Sequence, residues 1–312
     1  MSNNANHQGV IVRQAGPLAL IQDTGRFGVS HLGVTQGGAA DWISYRWANW
    51  LLGNAPDSAA LEIVLGGNLT LEAEKEVTLA LVGADLDARL DAAPLAPNAC
   101  FQLRAGQRLV FRQPKTGLRA YLAFPGGLDA PEILGSRACT VREQMGGLLD
   151  DGKPLKTGDR LTWHGAGVAS RALPSKAVLP VNTPGPLSLV LGAQASHFAG
   201  QSLFHTFNQR WTVDDRADRM GIRLTGTPLL SGPSGIVSEG IPLGAIQVPP
   251  DGQPIVLMND RQTIGGYPRI GALTPSACAR LAQCLPGTEV RLRPITATQA
   301  QMIHRRQLGV WD

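Results

Sequence analysis

Apolar residues along this chain fall mostly in short runs or strict alternation, each closed within a few positions by Gly, Pro, Asp or Asn. The stretches 9–12, 18–21, 61–65, 77–82 and 187–191 have this form. A period of two between turn residues predicts strands. Helical spacing is confined to three places. Over 40–52, Ile43, Trp47, Trp50 and Leu51 recur on one face, and Gly53-Asn54 before Pro56 stops the run. Over 275–284, Thr274 stands where an N-cap belongs. A last helix is predicted over 297–307. The pattern as a whole predicts a mainly β protein with a few short helices.

A weak internal echo accompanies the strands. "LRAGQRLVF" (103–111), "LKTGDRLTW" (155–163) and "CLPGTEVRLRP" (284–294) each read as a turn glycine followed by an alternating strand. Between them lies "RALPSKAVLPVNTPGP" (171–186), whose four prolines forbid a continuous helix and make a poor central strand. The expected organisation is therefore a disordered tail at 1–8, an N-terminal β-rich domain over 9–172, a linker at 173–186, and a C-terminal β-rich part with a closing helix over 187–312.

Composition narrows the classes. At 312 residues, 43% apolar and 17% charged, the chain has material for a large core. The net charge of +4 is spread without a Lys/Arg block, so no nucleic-acid partner is expected. Residues 1–8 are polar and no run approaches a membrane span, which predicts neither a secretion signal nor a membrane anchor. None of the four cysteines has the spacing of a zinc or redox pair. The expectation is a cytoplasmic protein with no metal site in this chain. There is no G-x-x-x-x-G-K-[ST] phosphate loop and no Met-Lys-Met segment for biotin attachment. ATP and biotin, if used, are expected on other chains.

The candidate chemistry clusters late. In "LMNDRQTIGGYPRIG" (257–271) an apolar strand turns abruptly polar and then glycine-rich. Continued alternation would put Asp260 and Gln262 on one face and Asn259, Arg261 and Thr263 on the other. Gly265 and Gly266 would let a ligand approach the backbone, with Tyr267-Pro268 as a wall. The competing reading is a wide turn whose polar residues cap one another. "DDRADRMGIRL" (214–224) adds Arg219, and "VSEGIPLGAIQVPPDGQPI" (237–255) adds Glu239 and Gln247. In "DTGRFGVSHLGVTQGGAAD" (23–41), His31 could act as an acid or base.

These segments carry a resemblance. "GRFGVSHLGVTQGGAADWISYRWANWLLGNAPDSAALEIVLGG" (25–67), "GLRAYLAFPGGLDAPEILGSRA" (117–138), "DRMGIRL" (218–224) and "SEGIPLGAIQVPPDGQPIVLMNDRQTIGGYPRIG" (238–271) resemble the biotin-dependent carboxyltransferase family, in order along the chain. That family includes the C subunit of 5-oxoprolinase, allophanate hydrolase subunit 2, the KipI antagonist and part of urea carboxylase. The resemblance implies a cyclophilin-like β-barrel architecture. It also implies two partners, the KipI-like B subunit of 5-oxoprolinase and the A subunit of the same enzyme. The reaction it implies is an ATP-dependent opening of 5-oxo-L-proline to L-glutamate. Other readings open to the family are the carboxyltransferase part of a urea or amide carboxylase, or a non-catalytic antagonist. On the lactam reading, Asp260 would accept the substrate N–H. Arg219, Gln262 and the backbone at Gly265 and Gly266 would stabilise the developing oxyanion. His31, Glu62 and Glu239 would orient substrate or move protons.

Overall fold

The computed structural model describes residues 9–163, 165, 170–232 and 235–311. The expected tail at 1–8 lies outside the described residues. The chain is mainly β with short helices, in two compact units. One unit comprises residues 1–26 and 37–181, the other 27–36 and 182–312. The β-barrel architecture in two β-rich parts, expected from the resemblance, is the one observed.

The first unit holds two antiparallel sheets. One runs in the order Arg160–Leu161, Val10–Gln14, Leu69–Ala73, Arg108–Phe111, Arg89–Leu90, Ala93–Pro94. The other runs Leu18–Gln22, Ala60–Val64, Thr116–Ala123, Val77–Asp85, Ala99–Leu103. Alternation does the sorting: in Leu69–Ala73 every second residue is buried, and Val10, Val12, Leu69, Leu71, Leu109 and Phe111 share one core. Helix α1, Trp42–Leu51, packs on Val77–Asp85 and Thr116–Ala123. Asp41 caps it by accepting from Ser44 N at 3.0 Å. Trp47 is fully buried and meets Trp50 edge to face, with ring centroids 5.2 Å apart.

The second unit is built on an eight-stranded sheet. Its order is Glu289–Val290, Trp211–Val213, Gly221–Thr225, Ile255–Leu257, Ala245–Gln247, Arg269–Leu273, Leu187–Leu191, Leu292–Ile295. The last pair is parallel and the other pairs are antiparallel. A two-stranded ribbon, Glu239–Gly240 with Ile264–Gly265, stands beside the sheet as a separate element. Helix α2 is Gly200–Asn208, α3 is Pro275–Leu281 and α4 is Ala297–Leu308. Helix α2 is not legible in the hydrophobic pattern. It turns the polar Ser202 and Thr206 inward and leaves Phe204 exposed, so its periodicity is inverted. Thr274 caps α3 as expected, and Thr296 with Gln299 forms a reciprocal capping box on α4.

The sequence echo has one geometry. In the turns 104–107, 156–159 and 285–288, the fourth residue donates its N–H to the first residue's carbonyl at 3.0–3.1 Å. Gly106, Gly158 and Gly287 stand third, with φ of 76°, 95° and 82°. That is the position where a turn of this kind requires positive φ. Each glycine also donates to a neighbouring strand, at Ala73, Val12 and Val213, whose own N–H returns to the turn's fourth residue. The three segments are the same docking device used three times.

Candidate active site

The strand Ile255–Leu257 ends before the polar run begins. Residues 259–260 are a turn, so the expected strand alternation across 259–263 does not hold. The reason lies in the neighbouring backbone. Met258 N donates to Met220 O and Asp260 N to Arg219 O, both at 2.9 Å, and Arg261 N then closes the turn on Met258 O. Asp218 Oδ1 fixes the opposite segment by accepting from Met220 N and Gly221 N.

This backbone pairing sets two side chains face to face. Arg219 Nε donates to Asp260 Oδ2 and its second terminal nitrogen to Oδ1, each at 2.9 Å. Arg219 is 6% exposed and Asp260 4%. The pair is a buried bidentate fork. Arg219, expected as oxyanion donor, and Asp260, expected as acceptor for a substrate N–H, engage one another in this structure. Their shared work is to hold the turn against the strand Gly221–Thr225.

The next residue takes a different place. Arg261 donates Nε–H to Ile241 O at 3.0 Å and its two terminal nitrogens to Met258 O at 3.2 Å and Gln36 Oε1 at 3.3 Å. All three partners are neutral. A guanidinium has five N–H groups, so two of Arg261's remain beyond these bonds. Burial lowers its pKa, partly opposed by Asp260 and by Cys278, and an arginine in this range stays charged. The sequence reading placed Arg261 on the opposite face from Asp260 and passed over it. The adjacent Cys278 is a buried thiol pushed up to about 12 by desolvation, hence protonated and unreactive at neutral pH.

The ribbon brings the remaining candidates together. Glu239 pairs across it with Gly265. Its carboxylate accepts from Gln194 Nε2 at 2.8 Å and forms an ion pair with Arg269. Arg269 also donates to Gly240 O at 2.7 Å, and its N–H reaches Gln194 Oε1 at 2.9 Å. This network borders a cavity of about 420 Å³ whose apolar wall includes Val190, Leu191, Pro242, Ala245 and Ala272. Gln194 and Arg269 were missed in the sequence; nothing local marks them, since they meet only through the sheet.

Gly265 and Gly266 are not needed for an unusual backbone, because neither has positive φ. They are needed for space. A Cβ on Gly266 would stand 2.5 Å from Ile236 O. A Cβ on Gly265 would stand 2.7 Å from Ile241 Cδ1, 3.1 Å from Gln247 Nε2 and 3.4 Å from Gln262 Nε2. Two carboxamides thus converge on this glycine. Gln247 is 2% exposed, and its Nε2 has no hydrogen-bond partner among the described residues. Gln262 is half-buried. Tyr267 is 43% exposed at the ribbon's end.

Neither His31 nor Glu62 is among the residues lining that cavity. His31 sits exposed on the 3-10 turn Ser30–Leu32. Glu62 belongs to the first unit and is fully buried. It accepts from Tyr121 Oη at 2.7 Å and from Ala40 N at 2.9 Å. Tyr121 Oη in turn accepts from Asp41 N at 2.7 Å. Burial, then the charge of Glu62, pushes the Tyr121 phenol well up. This network braces the entry to α1, which is a scaffold role. Among the described residues no group of three or more His, Cys, Asp or Glu could hold a metal ion.

Comparison with known proteins gives the geometry a context. The chain is 33% identical over 289 residues to the C subunit of 5-oxoprolinase from Haemophilus influenzae, covering 92% of both proteins. It is 38% identical over 272 residues to the C subunit of 5-oxoprolinase from Escherichia coli, covering 86% of both. The crystal structure of Kluyveromyces lactis urea carboxylase matches 99% of this chain with a TM-score of 0.91 at 26% identity; the chain spans 30% of that protein. The family model for the carboxyltransferase domain, subdomains A and B, matches residues 32–294. With the ribbon and the cavity that its Glu239 borders inside that span, the chain belongs to the carboxyltransferase domain family.

Proposed function

We propose that this chain is the C subunit of a multi-subunit, ATP-dependent 5-oxoprolinase that opens 5-oxo-L-proline to L-glutamate. The observation that carries this reading is similarity over 92% and 86% of this chain to two proteins that bear the name of that C subunit. The site is compatible with it. Opening a lactam builds negative charge on the carbonyl oxygen, and donors fixed near that oxygen stabilise it. Arg261 supplies a half-buried cation with N–H groups to spare. Gln247, Gln262 and the bare backbone at Gly265 supply neutral amide groups within a few ångströms of one another. Glu239 and Arg269 would set the polarity of the cavity mouth.

The sequence has no G-x-x-x-x-G-K-[ST] phosphate loop, and no step is assigned to a nucleotide. ATP binding would fall to the partners, the KipI-like B subunit of 5-oxoprolinase and its A subunit. The four cysteines are free, in keeping with a cytoplasmic location. No helix among the described residues is long and apolar enough to cross a membrane.

The high structural similarity to urea carboxylase favours a second reading, the carboxyltransferase part of a biotin-dependent urea or amide carboxylase. Biotin would then be carried by another chain. Co-expression with the neighbouring subunits and an assay for ADP release separates the two. Turnover with 5-oxo-L-proline, yielding glutamate, supports the first. Turnover with urea and bicarbonate alone overturns it.

A further inference from the structure

Gln247 closes the central strand Ala245–Gln247, two residues beyond Ala245, which lines the cavity, and stands behind that lining rather than in it. Its side chain is buried, yet among the described residues its Nε2 has no hydrogen-bond partner and none donates to its Oε1. Leaving a buried amide unpaired is unfavourable, and a fold does so where something else completes the pair. The Nε2 lies 3.1 Å from the point where a side chain on Gly265 would begin, and that side chain is absent. Gln262 Nε2 flanks the same point at 3.4 Å.

We propose that the Gln247 carboxamide reads a cis amide by a two-point pair. Its N–H donates to the ligand's carbonyl oxygen while its own carbonyl accepts the ligand's N–H. A carboxamide carries donor and acceptor on one planar edge. A ligand matches that edge only when its C=O and N–H point the same way. A lactam ring enforces this arrangement, and urea offers it through its N–H₂ groups. An acyclic secondary amide, which is trans, does not. The chemical class selected is therefore a small lactam or urea-type amide bearing a free N–H. This inference rests on the proposed reading of the site as an amide-binding one, but it does not depend on which of the two reactions follows.

The test uses the assembled complex and the isolated chain. With wild-type complex, 5-oxo-L-proline and its N-methyl derivative are compared as substrate and competitor, with urea as a third arm. The N-methyl compound is expected to lose at least tenfold in kcat/KM or in competition, because it has no N–H to offer. Gln247→Glu keeps the shape but removes the donor, and Gln247→Met removes both functions; each is expected to lower kcat/KM for 5-oxo-L-proline at least tenfold. In the isolated chain, Gln247→Met is expected to hold or raise the melting temperature, since it replaces an unpaired polar group by an apolar one. Equal use of the N-methyl compound, or unchanged kcat/KM in both variants, overturns the inference while leaving the reaction assignment intact. Turnover with urea and none with 5-oxo-L-proline moves the same tests to urea and N,N′-dimethylurea, and overturns only the reaction. A melting temperature several degrees lower in Gln247→Met shows a structural amide and overturns the inference whatever the substrate.

Discussion

At the scale of single residues, the Arg219–Asp260 fork separates stability from chemistry. Both groups are buried and satisfy one another. Removing one partner leaves an uncompensated charge, which costs about 3–5 kcal/mol, whereas replacing both with apolar residues is often neutral. Asp260→Asn is therefore expected to lower unfolding stability by about 3 kcal/mol or more, and Arg219→Met with Asp260→Leu to recover most of that loss. Denaturant unfolding of the three proteins checks this; a stable Asp260→Asn protein would show that the fork is dispensable. Cys278 makes a prediction on pH. Its thiol ordinarily titrates near 9.0 and is held up to about 12 in the fold. The folded state thus keeps a proton that the unfolded chain loses in that window, so stability declines as pH rises from about 9 to about 12. Cys278→Ala is expected to show a shallower alkaline decline in melting temperature, measured against wild type at each pH.

At the scale of elements, the repeated turn and the last helix are local devices with local costs. Around Gly106 nothing lies within 4 Å of a built Cβ, so its glycine is required by φ alone. Gly106→Ala is expected to cost about 1–2 kcal/mol, the penalty of a left-handed L-residue, and Gly106→Asn less, because Asn tolerates that region. Helix α4 has no buried residue. Its integrity depends on the Thr296–Gln299 capping box, whose oxygens accept from Gln299 N at 3.2 Å and Thr296 N at 3.0 Å. Thr296→Ala is expected to loosen α4 by about 1 kcal/mol. Amide exchange in residues 297–308 should accelerate while the sheet strands stay protected. Acceleration throughout the second unit would mean that α4 is coupled to the sheet.

At the scale of the whole molecule, the two units divide the tasks described above. The first unit spends its buried charge on scaffolding, with Glu62 and Tyr121 holding the entry to α1. The second carries the cleft, and it recruits residues 27–36, whose Gln36 accepts from Arg261. On the proposed function, the isolated chain should not hydrolyse ATP in the presence of 5-oxo-L-proline, because its sequence has no phosphate loop. ADP release by the purified single chain would show a nucleotide site of another kind.

The hydrophobic pattern determined the β-rich class, helices α1, α3 and α4, and the turn glycines, because these depend on neighbours within a few residues. Side-chain alternation, caps and positive φ are local properties. That Glu239 belongs with the glycine-rich segment was legible as well, since the family's motifs run through both and the ribbon pairs Glu239 with Gly265. What each residue does there was not. Arg219 and Asp260 are 41 residues apart in sequence; a backbone pair brings them together and their side-chain fork then neutralises both charges. Arg261, one position on, faces only neutral partners. Helix α2 packs by its polar face because Leu230 exchanges hydrogen bonds with Ser202 from outside the helix, while Thr206 bonds back to its own Ser202 carbonyl. In each case the deciding partner lies on a distant segment, and only the tertiary fold selects which polar groups satisfy one another.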